Sequence, residues 1–420
     1  MAKAGRPPRD AFEVLLDASE LGALQKVGTL YRSGSRTDVP ASFEYTSEWR
    51  KSERAFMLDP RLELWQGEQY PPARAATFGV FMDSAPDRWG RVLMERREAA
   101  AARREGRKVN NLQELDFLLG VHDLTRMGAL RLRRPGGPFL DDSTNAAPPV
   151  TGLRELADIS QRIEESGVER LPEYEKWLAA LIAPGSSLGG ARPKACFTES
   201  DGRIWIAKFP ARDDRYDVGA WEYLVHQLAR SADIWVPESR PAFLTPPYRA
   251  FCVVRFDRKG KSRRMYASAM TLLEREDGAT NAGYLDIAEF IVNHGAQGYI
   301  GADLEQLFRR VAFNVLIGNR DDHLRNHGFI REPSGWRLSP AFDMNPNPNK
   351  IEHALTLDGS SAEPSIDLVL STSALYRLDT SEAARIVDQI TTVVATWRTQ
   401  ADQLKLPREE IERMETVFRA

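Results

Sequence analysis

GNRDDHLRNHGFIREPSGWRLSPAFD, spanning Gly318–Asp343, is the stretch on which the reading of this chain turns. Just before it, Leu304, Leu307, Phe308, Val311, Ala312, Val315 and Leu316 recur at helical spacing, which predicts a buried helix. Gly318 and Asn319 are residues that end helices. Asp321, Asp322, His323 and Asn326 then fall on a loop held by a rigid element, where catalytic groups are often found. Farther on, two short strands flank Pro333-Ser334-Gly335. A hairpin centred on Ser334 sets Asp343 opposite about Arg325 or Asn326. Asn326 and Asp343 thereby converge, and carboxylate and amide oxygens suit Mg²⁺, which takes few protein ligands beside water and phosphate oxygens.

Working outward, Pro184–Phe197 reads PGSSLGGARPKACF. Gly185, Gly189 and Gly190 allow successive N–H groups to point at phosphate oxygens, or simply form a turn. Lys194–Glu199 and Arg203–Phe209 flank Ser200-Asp201-Gly202, a hairpin signal. Antiparallel pairing about Asp201 puts Lys208 opposite roughly Lys194, on a face shared with Ile204 and Ile206. A lysine in such surroundings is costly unless it meets an anion or reaches water. Trp221, Leu224, Val225, Leu228 and Ala229 mark a helix over Val218–Ser231. Glu222 lies beside that stripe, placed either to pair with Lys208 or to face solvent. Glycine loop, strand lysine, an Asp five residues before an Asn, and a later Asp follow one another as in protein kinases. In that arrangement the first Asp takes the hydroxyl proton, while the Asn and the last Asp hold metal. His323 is read as a hydrogen-bonding group or a nucleotide contact, and Arg320 and Arg325 as solvated loop residues or phosphate contacts.

The 420 residues suffice for two or three domains with cores of their own. With 42% apolar and 28% charged residues, a soluble globular protein is expected. A net charge of −3 gives no electrostatic reason for direct binding to nucleic acid or membrane. Cys196 and Cys252 match no zinc spacing and suggest a reducing compartment. The first residues lack the apolar core of a signal peptide, and no apolar run reaches membrane-span length, so a cytoplasmic location is expected. The Pro-, Gly- and Asp-rich run Arg134–Gly152 reads as a linker. It separates an N-terminal subdomain, 1–134, from a small lobe, 153–259, and a helical lobe, 260–420. Before the linker, Val27–Tyr31 and Ala41–Tyr45 read as strands and Met94–Lys108 as a charged, solvated helix. The fold class is α+β, a mixed α/β region followed by a mostly helical lobe.

These residues together resemble the HipA family of toxin kinases. Ser187-Leu188-Gly189-Gly190-Ala191-Arg192-Pro193-Lys194 is similar to its glycine loop, and Ile206-Ala207-Lys208-Phe209-Pro210 to the strand of its ATP lysine. Val254-Arg255-Phe256-Asp257-Arg258 resembles its hinge, and Phe81–Arg91 its N-terminal signature. The resemblance implies a HipA-like kinase fold and serine/threonine kinase activity with ATP and Mg²⁺. It assigns Asp321 to catalysis and Asn326 and Asp343 to the metal. It places Ser187, Leu188, Gly189, Gly190, Ala191, Lys208, Val254, Phe256, Asp257, His323 and Asp343 around the nucleotide, with Ser187 as an autophosphorylation site. It also implies a helix-turn-helix DNA-binding antitoxin as partner, DNA contact only through that antitoxin, and a protein substrate such as an aminoacyl-tRNA synthetase. A small-molecule or lipid kinase, and a nucleotide-sensing co-repressor with a vestigial site, are the alternatives.

Overall fold

The computed structural model describes residues 9–33, 40–141, 147–182, 192–276, 278 and 282–419. Alternation along Arg9–Leu16 (β1) buries Phe12, Val14 and Leu16 on one face. β1 lies between Gln25–Ser33 (β2) and Leu130–Arg133 (β4), with Ser42–Tyr45 (β3) on the outer edge of β2, all antiparallel. The charged helix is longer at its start than expected: α1 covers Arg88–Glu105. The Asp87 carboxylate caps it by accepting from the Gly90 N–H at 2.8 Å, and Gly106 ends it in the left-handed region at φ 64°.

The run expected as a linker is packed at both described ends. Leu140 N–H donates to the Leu132 carbonyl at 2.8 Å, and Thr198 N–H to the Pro148 carbonyl at 2.9 Å. Helices α2 (Leu153–Arg162) and α3 (Tyr174–Ile182) follow, then the hairpin of β5 (Lys194–Thr198) and β6 (Ile204–Lys208). Its register sets Lys194 opposite Lys208, as the Asp201 turn requires. Helix α4 occupies Val218–Ser231. With β7 (Ser239–Ala242) and β8 (Ala250–Val254) the sheet order is β5-β6-β8-β7.

In the last part, β9 (Tyr266–Ser268) is followed by helices α5 (Tyr284–His294) and α6 (Ile300–Leu316). Gly318, at φ 64°, turns the chain out of α6, and β10 (Gly328–Glu332) and β11 (Gly335–Leu338) form the expected hairpin beside β9. Helix α7 (Thr380–Val394) packs on α6. Among the described residues no helix is long and apolar enough to cross a membrane.

Among the described residues the two largest apolar cores both draw on the N-terminal segment. Phe12, Leu30 and Phe43 belong to the cluster that contains Ile287, Leu307 and Val311 of α5 and α6. Trp89 and Leu93 of α1 instead join Leu156, Leu178, Phe197 and Trp205 in the core of the small lobe. Polar contacts reinforce each attachment. Asp83 accepts from the Ser268 N–H and hydroxyl, both at 2.7 Å, at the end of β9. Asp87 is ion-paired with Lys194 at the start of β5, both side chains only 4% exposed.

Burial pushes the Asp83 carboxyl up to about 6, against the pull of its bonds to Ser268. A carboxyl raised in this way contributes stability that is full below the unfolded value, about 4, and is lost as pH rises through the folded one. Between pH 5 and pH 8 the native chain is expected to lose about 1 kcal/mol from this group. In chemical denaturation across that range, Asp83→Asn should show a shallower fall in stability than the native chain, and equal slopes would refute the assignment.

Candidate functional site

Lys208 is the last residue of β6, and its ammonium is held from two directions. Nζ lies 2.5 Å from Glu222 Oε1 of α4 and 2.7 Å from Asp343 Oδ1. The Lys208 side chain is 14% exposed and that of Glu222 5%. Glu222 reaches it because α4 is fixed at its start, where Asp217 accepts from the Ala220 N–H at 3.1 Å and pairs with Arg249 at 2.6 Å. Gly219 then lets α4 lie against β8, since a Cβ there would stand 2.1 Å from the Arg249 carbonyl oxygen. Of the two alternatives for Glu222, pairing with Lys208 is the one observed.

Burial opposes the charge on Lys208, but Asp343 and Glu222 outweigh it and raise the ammonium above the ordinary lysine value. Burial likewise pushes the Asp343 carboxyl up, and Lys208 more than reverses this, leaving it below the usual range. Glu222 is pushed up, by burial and by the neighbouring charge of Asp343. Asp343 itself has φ 58°, a left-handed backbone that Asp tolerates better than most side chains.

The β10–β11 ladder ends at Phe329 opposite Leu338, so Asp343 lies beyond the paired region. It is therefore not the cross-strand partner of Asn326 that the hairpin extrapolation set there. Its carboxylate turns to Lys208 instead. Asn326 is buried on the loop, with Nδ2 3.5 Å from the Asp321 carbonyl oxygen. Asp343 meets Lys208 through Oδ1, and Asn326 meets the Asp321 carbonyl through Nδ2. A carboxylate and an amide oxygen are donors that suit Mg²⁺ better than zinc, and the described residues hold no cluster of three or more His, Cys, Asp or Glu suited to a metal.

Asp321 is exposed and ion-paired with Lys350. Its neighbour Asp322 is buried, accepting from Tyr284 Oη at 2.8 Å and Asn314 Nδ2 at 2.9 Å, with His327 Nε2 at 2.7 Å. Burial pushes the Asp322 carboxyl up, and His327 with the Tyr284 hydroxyl brings it below its usual value. Asp322 thus ties the loop to α5 and α6 while Asp321 stays at the surface. His323 is exposed, close enough for its charge to draw the Asp343 carboxyl down. Arg320, expected among solvated residues or phosphate contacts, is buried and donates to the Lys350 carbonyl.

Along the hinge, Val254 pairs with Trp205 at the end of β8, and Phe256 stacks on Phe342 at 5.3 Å, beside Asp343. Asp257 requires correction as a nucleotide contact. Its carboxylate is 1% exposed and faces the N-terminal segment, pairing with Arg255 at 2.7 Å and Arg258 at 2.5 Å and accepting from the Gly128 N–H at 2.8 Å. With both carboxylate oxygens engaged and buried, the Asp257 side chain braces this stretch against the N-terminal segment and does not offer a contact to nucleotide. The glycine-loop positions Ser187, Leu188, Gly189, Gly190 and Ala191 lie outside the described residues.

Replacing Lys208 by Met leaves two carboxylates buried without their cation. Lys208→Met should cost about 3 kcal/mol or more in chemical denaturation, and adding Glu222→Gln should restore part of it. A Lys208→Met variant as stable as the native chain would show that the ion triad does not form in solution.

Known proteins share parts of this sequence and fold. HipA of Shewanella oneidensis MR-1, solved with HipB and operator DNA, superposes with a TM-score of 0.67 at 17% identity, covering 96% of this chain and 94% of that one. A Haemophilus influenzae protein described as "Putative kinase" is 34% identical over 105 residues, a segment spanning 23% of this chain and 30% of that relative. The Helicobacter pylori proinflammatory kinase CtkA, with a TM-score of 0.33, is too distant to bear on the fold. Residues 186–397, half of the chain, match the HipA-like C-terminal domain, and the fold shared with HipA extends across nearly all of the rest. The chain belongs to the HipA-like family.

Proposed function

We propose that the chain is an ATP-dependent protein kinase that acts as the toxin of a toxin–antitoxin pair. The observation that carries this reading is the buried Lys208, held between Glu222 and Asp343. A strand lysine paired with a helix glutamate is what an active protein kinase uses to hold nucleotide phosphates. Here the Asp343 carboxylate completes the arrangement from the far side of the cleft.

In this reading Lys208 binds the phosphates and Asp321 accepts the proton of the attacking hydroxyl. Asn326 and Asp343 hold Mg²⁺, which when bound neutralises charge on the phosphates. Phe256 and Val254 line the purine side. The serine/threonine specificity, the glycine loop from Ser187 to Ala191 as phosphate cradle, and autophosphorylation of Ser187 belong to the same proposal. A phosphate on that loop would repel the nucleotide's own phosphates.

The solved HipA that shares this fold is complexed with HipB and operator DNA, which supports a helix-turn-helix antitoxin as the partner here. DNA is then contacted through the antitoxin, and a protein such as an aminoacyl-tRNA synthetase is the substrate. The subdomain limits 1–134, 153–259 and 260–420 fit a kinase divided by its nucleotide cleft, with the N-terminal segment bracing both lobes.

Asp321→Ala should leave ATP affinity within about threefold and abolish phosphoryl transfer, because only the group that takes the hydroxyl proton is gone. Asp343→Ala should weaken Mg²⁺–ATP binding itself. Calorimetric titration beside transfer assays separates the two effects, and full activity in either variant would overturn the assignment.

A further inference from the structure

Lys350 lies in the segment that follows Asp343, and neither the sequence pattern nor the family match gives it a role. Three links bring it to the catalytic loop. Asn347 N–H donates to the Gly318 carbonyl at 3.0 Å. The buried Arg320 guanidinium donates through Nη1 to the Lys350 carbonyl. The Lys350 ammonium is ion-paired with the Asp321 carboxylate. The loop beneath is itself fixed, since a Cβ on Gly318 would stand 2.3 Å from Val417 Cγ1. The backbone of Lys350 is therefore anchored from a buried side chain, while its four-carbon stem, 46% exposed, remains free to swing.

An exposed ion pair of this kind is worth little to stability. Its chemistry is another matter. Beside Asp321, the transferring phosphoryl spreads negative charge over three equatorial oxygens, next to a carboxylate that is already negative. Lys208 has its ammonium shared between Glu222 and Asp343. A further cation at Asp321 would offset the repulsion where charge develops.

We propose that Lys350 is a catalytic residue, pairing with Asp321 before substrate enters and moving onto the equatorial oxygens of the transferring phosphoryl group. This rests on the kinase reading. In the step, the substrate hydroxyl oxygen bonds to the γ-phosphorus and the bond from that phosphorus to the β,γ-bridging oxygen breaks. The electron pair leaves with ADP, and the hydroxyl proton passes to Asp321. Lys350 forms no covalent bond and contributes charge alone.

The full-length chain, Lys350→Met and Lys350→Arg are compared with Mg²⁺ and ATP labelled in the γ-phosphate, following transfer to water and to the chain itself. Lys350→Met should bind ATP within about threefold of the native chain and transfer about 100-fold more slowly, the scale of losing one such stabilising group. Lys350→Arg, which keeps the charge, should recover to within about tenfold. Independently of turnover, an acyl-phosphate derivative of ATP, which acylates amines near the terminal phosphate, should label Lys350 in peptide mass spectra, and excess ATP should suppress the label. Lys350→Met transferring at the native rate overturns the proposal. A faster rate overturns it too, by showing that Lys350 blocks Asp321. Failure of Lys350 to label while Lys208 does so would have the same force. If the native chain itself shows no transfer that depends on Asp321, the kinase reading fails and this proposal falls with it.

Discussion

One ammonium group, on Lys208, fixes how β6, α4 and the chain after β11 meet. Alone in this setting it would be expensive to bury, and so would each carboxylate beside it. Together they are compatible only if β6, α4 and the chain after β11 meet within hydrogen-bonding distance. Local features make that meeting possible. The Asp217 cap and Gly219 seat α4 on β8, and the left-handed backbone at Asp343 turns its carboxylate inward. A buried ion pair of this sort is weak evidence for stability, because its desolvation offsets much of its attraction. Its value lies in setting geometry.

The N-terminal segment serves the same end by a different route. It contributes apolar residues to both cores and polar anchors to both lobes. Asp83 reaches Ser268, and Asp87 reaches Lys194 directly across the β5–β6 hairpin from Lys208. The hinge is bound from behind, where Asp257 gathers Arg255, Arg258 and the Gly128 N–H into one buried cluster. The segment Phe81–Arg91 is thus a brace: it fixes where the β5–β6 hairpin that carries Lys208 stands relative to β9.

Much of this was readable in the sequence, for local reasons. The Asp201-Gly202 turn dictates a register, and Lys194 does face Lys208. Helical spacing marked α4 at its observed limits and placed α6 under the loop of Asp321. What escaped was long-range. Asp257 sits in a hinge-like string of residues, yet beside Arg255 and Arg258 its carboxylate is also held by the Gly128 N–H, far away in sequence. Asp322 and Asp321 are adjacent and chemically identical, and only the packing of Tyr284, Asn314 and His327 tells the buried one from the exposed one. Asp343 left the register expected of it because the ladder stops at Leu338 and Lys208 supplies a stronger partner than a neighbouring strand. The run after Arg134 has a linker's composition, but at its described ends the Leu140 N–H is met by β4 and the Pro148 carbonyl by β5.

In the proposed function β6, the stretch after β8 and the loop after α6, far apart in sequence, form one nucleotide site. Hydrogen–deuterium exchange of the full-length chain, with and without Mg²⁺ and a non-hydrolysable ATP analogue, tests this directly. The account predicts simultaneous protection of 204–209, 252–257 and 318–343, saturating at a single analogue concentration. Protection confined to one of these stretches, or none in any of them at saturating analogue, would contradict it.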